Sequence, residues 1–244
     1  MLTYSNLSGK TPSTPRLTSG ANTAVLLVVG QSNAANYASA SLYAPTNATK
    51  IDNLSIVDGG TYRGSDPGLG CTGNLASWLF RSADLLINDS TFDRVILVPI
   101  AVGGTSITLW APTGSLFSRI SAAIARCSNV GLSVSAVAWQ QGEADTSMAQ
   151  ATYAGHLTSI ISATRALGMP APWFIGKSTY NGGVTSPTVR AACAEVVNNV
   201  DIFAGADTDT LTGTTYREPS LVHFNEAGIN AAAGLWRDAL EAVF

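Results

Sequence analysis

The sequence predicts an α/β protein, a three-layer α/β/α sandwich on a mainly parallel sheet of five strands. Three observations predict it. Five short apolar runs recur along the 244 residues. They are continuously apolar rather than alternating, as strands covered on both faces must be. The stretches between them carry apolar residues at helical spacing. Strand and helix in alternation imply a doubly wound domain, whose ligands sit beyond the carboxyl ends of its strands.

In chain order, residues 1–20, rich in Ser, Thr and Pro, read as an arm or linker, and 21–244 as one domain. The first run is 24–30 (AVLLVVG). Residues 38–72 are rich in Gly, Asn and Asp and lack helical period. They read as a loop-rich insertion near the mouth of a site, with a short strand over 54–57. Helical spacing returns over 74–87, carried by Leu75, Trp78, Leu79, Leu85 and Leu86. The remaining runs are 94–102, 133–139, 173–176 and 201–205. The intervening stretches 116–127, 148–167, 189–197 and 227–243 have helical character.

A hydrophobic content of 46% suits one substantial core. Charged residues make up 12%, about half the usual share. A surface covered by Ser, Thr, Asn, Gly and Ala suggests an extracellular or virion-associated protein, although no signal peptide precedes the first strand. The net charge is −3 and lysine occurs only at Lys10, Lys50 and Lys177. This gives no electrostatic footprint for nucleic acid or an anionic membrane. No apolar run approaches the ~18 residues of a membrane span. Cys71, Cys127 and Cys193 are odd in number and match no zinc spacing, so they read as small buried hydrophobes. No metal-ligand cluster is visible and no cofactor is implied.

Chemistry-bearing residues follow the strands. The first ends in Gly30-Gln31-Ser32-Asn33, which places a serine hydroxyl at the expected site edge; a helix N-cap serine would look the same. The second ends in Gly103-Gly104-Thr105, where glycines let backbone N–H groups face a ligand or simply make a tight turn. The third ends in Gln140-Gln141-Gly142-Glu143-Ala144-Asp145. A Gln amide there can donate to an oxyanion and a buried Glu can orient a histidine, while Asp145 equally reads as a helix cap. Of two histidines, His156 lies inside a helical stretch. His223 sits on a loop before the last helix, from which a base can reach Ser32.

GQSN after a first strand, then GGT, then QGEAD, then a late HFN before a terminal helix, resembles the SGNH hydrolase superfamily, and within it the sialate O-acetylesterase-like branch of carbohydrate acetylesterases. The resemblance covers roughly residues 24–240, with the motifs in family order. It implies a flavodoxin-like sandwich with Ser32 as nucleophile and His223 as base. The N–H groups of Ser32 and of Gly103 or Gly104, with Gln141, would form the oxyanion hole. Gln31 and Asn33 are candidates for substrate contact, and so is Arg63, near the insertion, since an anionic sugar would want an arginine. Two positions depart from the pattern. Gln140 stands where the branch commonly has His, and Ser220 where the superfamily has Asp three residues before the histidine. The helper acid must then come from Glu143, Glu218 or Asp145. Some relatives in the branch use the glutamate matching Glu143, which makes it the expected acid.

The implied activity is serine-dependent removal of acetyl groups from an O-acetylated glycan or small acetyl ester. Hydrolysis of lipid esters or thioesters on the same scaffold, or non-catalytic glycan binding, are the alternatives.

Overall fold

The computed structural model describes residues 3–14 and 21–244. Its seven strands form one sheet in the order β3-β2-β4-β1-β5-β6-β7. They are β1 (Thr23–Gly30), β2 (Ile51–Leu54), β3 (Thr61–Arg63), β4 (Arg94–Pro99), β5 (Ala136–Gln140), β6 (Trp173–Lys177) and β7 (Ile202–Asp207). Neighbouring strands are parallel except β2 with β3.

Successive side chains of β1 enter opposite cores, which is why the run is apolar throughout. Ala24, Leu26 and Val28 face α1 (Leu79–Asn88) and α6 (Glu226–Glu241). Val25, Leu27 and Val29 face α2 (Phe117–Asn129), α3 (Gln150–Ala166) and α4 (Pro187–Glu195). A further short helix, α5 (Gly213–Tyr216), precedes the last loop. All three cysteines are free and buried.

Five strands are the five apolar runs. The other two emerge from the insertion, whose expected strand over 54–57 lies earlier, at β2. Residues 55–60 instead close a hairpin turn to β3. Ser55 N–H donates to Gly60 O and Gly59 N–H to Ser55 O, each at 2.9 Å. The short polar strand Ile-Asp-Asn-Leu has no apolar run to announce it. Its buried Asp52 is held by Arg94 and, at 3.1 Å, by Arg63. Residues 51–63 of the insertion thereby belong to the sheet edge, whereas Ser39 bridges Asn225 and Thr72 accepts from Gly103 N–H. Of the expected arm, residues 1–2 and 15–20 lie outside the described residues. Residues 3–14 run along the body, Tyr4 N–H donating to Cys71 O at 2.7 Å.

Candidate active site

β1, β4 and β5 are adjacent and parallel, so their carboxyl ends open at one edge of the sheet. Gly30 ends β1 at φ +148, where a Cβ would lie 1.9 Å from the Gln140 carbonyl oxygen. Only glycine lets β1 and β5 stay paired to this point. The chain then turns into a single 3-10 turn, Ser32–Ala34, whose three residues are buried. The Ser32 N–H stands at the start of that turn and has no acceptor among the described residues, as expected of a first-turn donor. Ser32 and His223 line the same pocket, of about 270 Å³, together with Gln31, Tyr37, Gly104 and Glu143.

His223 is carried on a tight loop. Glu218 N–H donates to His223 O at 2.9 Å, and Leu221, at φ +58, donates its N–H to Glu218 O at 2.8 Å. The turn folds Glu218 back until its Oε1 lies 3.6 Å from His223 Nδ1. Ser220 Oγ donates to the same carboxylate oxygen. The residue in the superfamily's aspartate position thus steadies a glutamate two places earlier. Beneath the loop, Arg217 is 1% exposed and spends its guanidinium on the carbonyls of Leu211, Thr208 and Val222. The Phe224 ring lies 4.0 Å from it. Tyr37 stacks on the imidazole at a centroid distance of 5.3 Å. Burial lowers the His223 pKa below its ordinary 6.5, against the opposing pull of Glu218, while Arg217 lowers it further.

Among the described residues Glu143 makes no hydrogen bond or ion pair with His223; its Oε1 accepts from Asn33 Nδ2 at 2.6 Å and Ser178 Oγ at 2.7 Å. Its Oε2 is buried without a partner among the described residues. Burial pushes this carboxyl up from 4.5 to about 7, despite those two donors. Asn33 also donates to Val222 O at 3.1 Å, which ties the Ser32 turn to the histidine loop.

Two expected oxyanion donors are engaged elsewhere. Gly103 N–H donates to Thr72 Oγ1 at 2.8 Å, whereas Gly104, at φ +71, has no N–H acceptor among the described residues. Gln141 is wholly buried. Its Nε2 faces Gln31 Oε1 at 3.1 Å, Thr105 O at 3.0 Å and Asp145 Oδ2 at 2.6 Å, and its Oε1 accepts from Tyr153. More acceptors than the amide has hydrogens leave nothing for the pocket. Gln141 braces Gln31, whose Oε1 also accepts from Ala144 N–H at 3.1 Å. Asp145, read as a helix cap, instead accepts from Ile107 N–H at 2.7 Å.

Comparison with known proteins supplies the family. The sequence model of the carbohydrate esterase, sialic acid-specific acetylesterase family matches residues 76–233, more than half of the chain. The chain belongs to this carbohydrate esterase family. It is a carboxylic ester hydrolase of the SGNH fold. No curated protein matches it significantly in sequence. Among solved structures, a protein from Arabidopsis thaliana superposes with a TM-score of 0.74 at 19% identity, over 92% of this chain and 99% of that one. A carbohydrate acetylesterase from Xanthomonas citri gives 0.58 at 15%, over 90% and 56%. An acetyl xylan esterase from Geobacillus stearothermophilus gives 0.53 at 14%, over 91% and 95%. At such identities these likenesses speak for the fold.

Arg63 does not join the esterase's pocket. It lies on the edge strand β3, its Nη1 donating to Asp52 at 3.1 Å and Thr49 O at 2.9 Å. His156 sits within α3. Three contributors escaped sequence reading: Tyr37, Ser178 and Arg217. An aromatic ring in the small-residue stretch after Ser32 was the available signal for Tyr37. Nothing local distinguishes Ser178 or Arg217.

Proposed function

We propose that this esterase removes acetyl groups from carbohydrate through an acyl-enzyme on Ser32. What carries the reading is the convergence of Ser32 and His223 on one small pocket with a carboxylate behind the imidazole. His223 takes the Ser32 proton as Oγ attacks the ester carbonyl carbon. The oxygen that gains charge is met by the N–H groups of Ser32 and Gly104, each such donor contributing about 3 kcal/mol in the transition state. Collapse breaks the bond to the sugar oxygen, which leaves with the proton from His223. Water, deprotonated by His223, then attacks the acetyl carbon, and acetate leaves as Ser32 Oγ takes that proton back from His223.

Glu218 is the carboxylate assigned to steady His223, and Glu143 the one that positions Asn33 beside the nucleophile. A volume of about 270 Å³ sits at the small end of ligand pockets, which supports acetyl over a long acyl chain. The test is hydrolysis of 4-nitrophenyl acetate, butyrate and octanoate by wild type and Ser32→Ala. Acetate-selective turnover lost in the variant supports the reading. Octanoate preference would indicate a lipid-type hydrolase, and rates no better than heat-killed protein a binding domain.

A further inference from the structure

The ester pocket is not alone on its face of the molecule. A second cleft, of about 500 Å³, is lined by Tyr4, Ser5, Asn6, Tyr37, Gly73 and Asn74. Tyr37 belongs to both linings, so the two clefts adjoin at that residue. Its phenol donates to Thr72 Oγ1 at 3.2 Å. Gly73, at φ +83, lets the chain pass close, for a Cβ there would lie 2.9 Å from Tyr37 Cε2. The far wall is the N-terminal segment, and it is fixed. Tyr4 N–H donates to Cys71 O at 2.7 Å and its carbonyl accepts from Gly70 N–H at 3.1 Å. Thr3 Oγ1 accepts from Arg119 Nη1 at 3.1 Å.

We propose that this cleft is a second glycan subsite, holding a neutral sugar unit adjacent to the acetylated one. The inference rests on the esterase reading above and narrows its substrate to neutral oligosaccharides. Aromatic rings offer flat apolar faces to the C–H side of a pyranose, and Ser and Asn side chains match its hydroxyls. Charge argues the same way. Among the described residues, no lysine or arginine lines either cleft. Arg119, below the second cleft, is committed to Ile100 O, Gly70 O and Thr3. Arg217, below the first, is committed to three carbonyls. Glu143 lines the ester pocket and Glu218 flanks its histidine. A sugar carboxylate would meet Glu218 and find no lysine or arginine free to pair with it, whereas a neutral sugar meets no such penalty.

The experiment compares chemically acetylated xylotetraose and cellotetraose with acetylated xylose and glucose, in wild type, Tyr4→Ala, Tyr4→Phe and Asn74→Ala. 4-Nitrophenyl acetate serves as the control that sees only the ester pocket. Wild type should favour the tetrasaccharides by about tenfold in kcat/KM, the worth of one stacked ring. Tyr4→Ala and Asn74→Ala should erode that preference through KM, Tyr4→Phe should keep it, and all should retain wild-type rates on the control. O-acetylated sialic acid should be the poorer substrate. Equal rates on mono- and tetrasaccharides, a preference that survives Tyr4→Ala, or faster turnover of the sialic acid would overturn the subsite. Should no ester be cleaved, the esterase reading fails by itself. Calorimetric binding of unacetylated xylotetraose and cellotetraose, weakened by Tyr4→Ala, would still decide the subsite, and no binding by wild type would refute it.

Discussion

His223 Nδ1 lies 3.6 Å from Glu218 Oε1, across a turn closed by a 2.9 Å hydrogen bond from Glu218 N–H to the His223 carbonyl. The carboxylate and the imidazole thus share one turn, and in the proposed mechanism they are the helper acid and the base. A carboxylate in this place favours one imidazole tautomer and stabilises the imidazolium formed during attack. Glu218→Gln should therefore lower kcat for 4-nitrophenyl acetate by roughly 10- to 100-fold, less than the ~10⁴ known for a buried triad aspartate. A wild-type rate in Glu218→Gln together with collapse in Glu143→Gln would return the role to Glu143.

The same contact sets the pH profile. In the proposed role His223 can act as a base only when neutral, and burial holds its pKa below 6.5. The acid limb of kcat/KM should accordingly have its midpoint below 6.5. Glu218 pulls that pKa upward, so Glu218→Gln should move the limb further towards acid. A shift towards alkali would contradict the assignment.

Gly30 and Gly104 should respond differently to alanine. At Gly30 the added Cβ would meet backbone oxygen at 1.9 Å, so Gly30→Ala should fail to give folded protein. At Gly104 the Cβ meets nothing within 4 Å, and the cost is that of a positive φ, about 1–2 kcal/mol. Gly104→Ala should fold, with reduced kcat if its N–H serves the oxyanion. Thermal melts and acetate release on both variants separate the two effects.

The sheet was legible because burial on both faces writes itself as unbroken apolar runs, and the family motifs fell at the ends of those runs. β2 was not, because a strand bearing Asp52 and Asn53 has the composition of a loop, and its arginine partners lie elsewhere in the chain. Ser32 and His223, the pair proposed to react, could be singled out in the sequence, one by its place after β1 and the other by elimination of His156. The acid beside His223 could not be decided, because Leu221 takes a positive φ to fold Glu218 back, and a leucine gives no sign of that. The bonding of Gln141 was hidden for a similar reason. Its acceptors are supplied by Gln31, Thr105 and Asp145, which meet only in the folded molecule.

Gln141→Ala tests that reassignment. Removing a fully buried amide leaves Tyr153 and Asp145 short of a partner and Gln31 loose, each unsatisfied group costing about 1–3 kcal/mol. The melting temperature should fall and activity should fall with it. A large loss of kcat with an unchanged melting temperature would instead restore Gln141 as an oxyanion donor.

Glu143 should leave a signature in the pH dependence of stability. Its carboxyl titrates at about 7 in the folded protein against an ordinary 4.5. Between those values the folded chain holds a proton that the unfolded chain has released. Stability from this group is therefore complete below 4.5, declines as pH rises to about 7, and is flat above. The shift corresponds to a loss on the order of 3 kcal/mol across the window. His223 acts in the opposite direction, since its lowered pKa makes the unfolded chain the better proton binder up to 6.5. The two must be separated by substitution. In Glu143→Gln the amide oxygen can still accept from Asn33 and Ser178, and no charge develops. The His223 contribution stays in both proteins and cancels in the comparison. The melting temperature of Glu143→Gln minus that of wild type should rise steadily from pH 4.5 to about 7 and then level. Parallel melting curves over that window would mean that Glu143 is already ionised at the lower pH, held so by Asn33, Ser178 and the nearby Arg217.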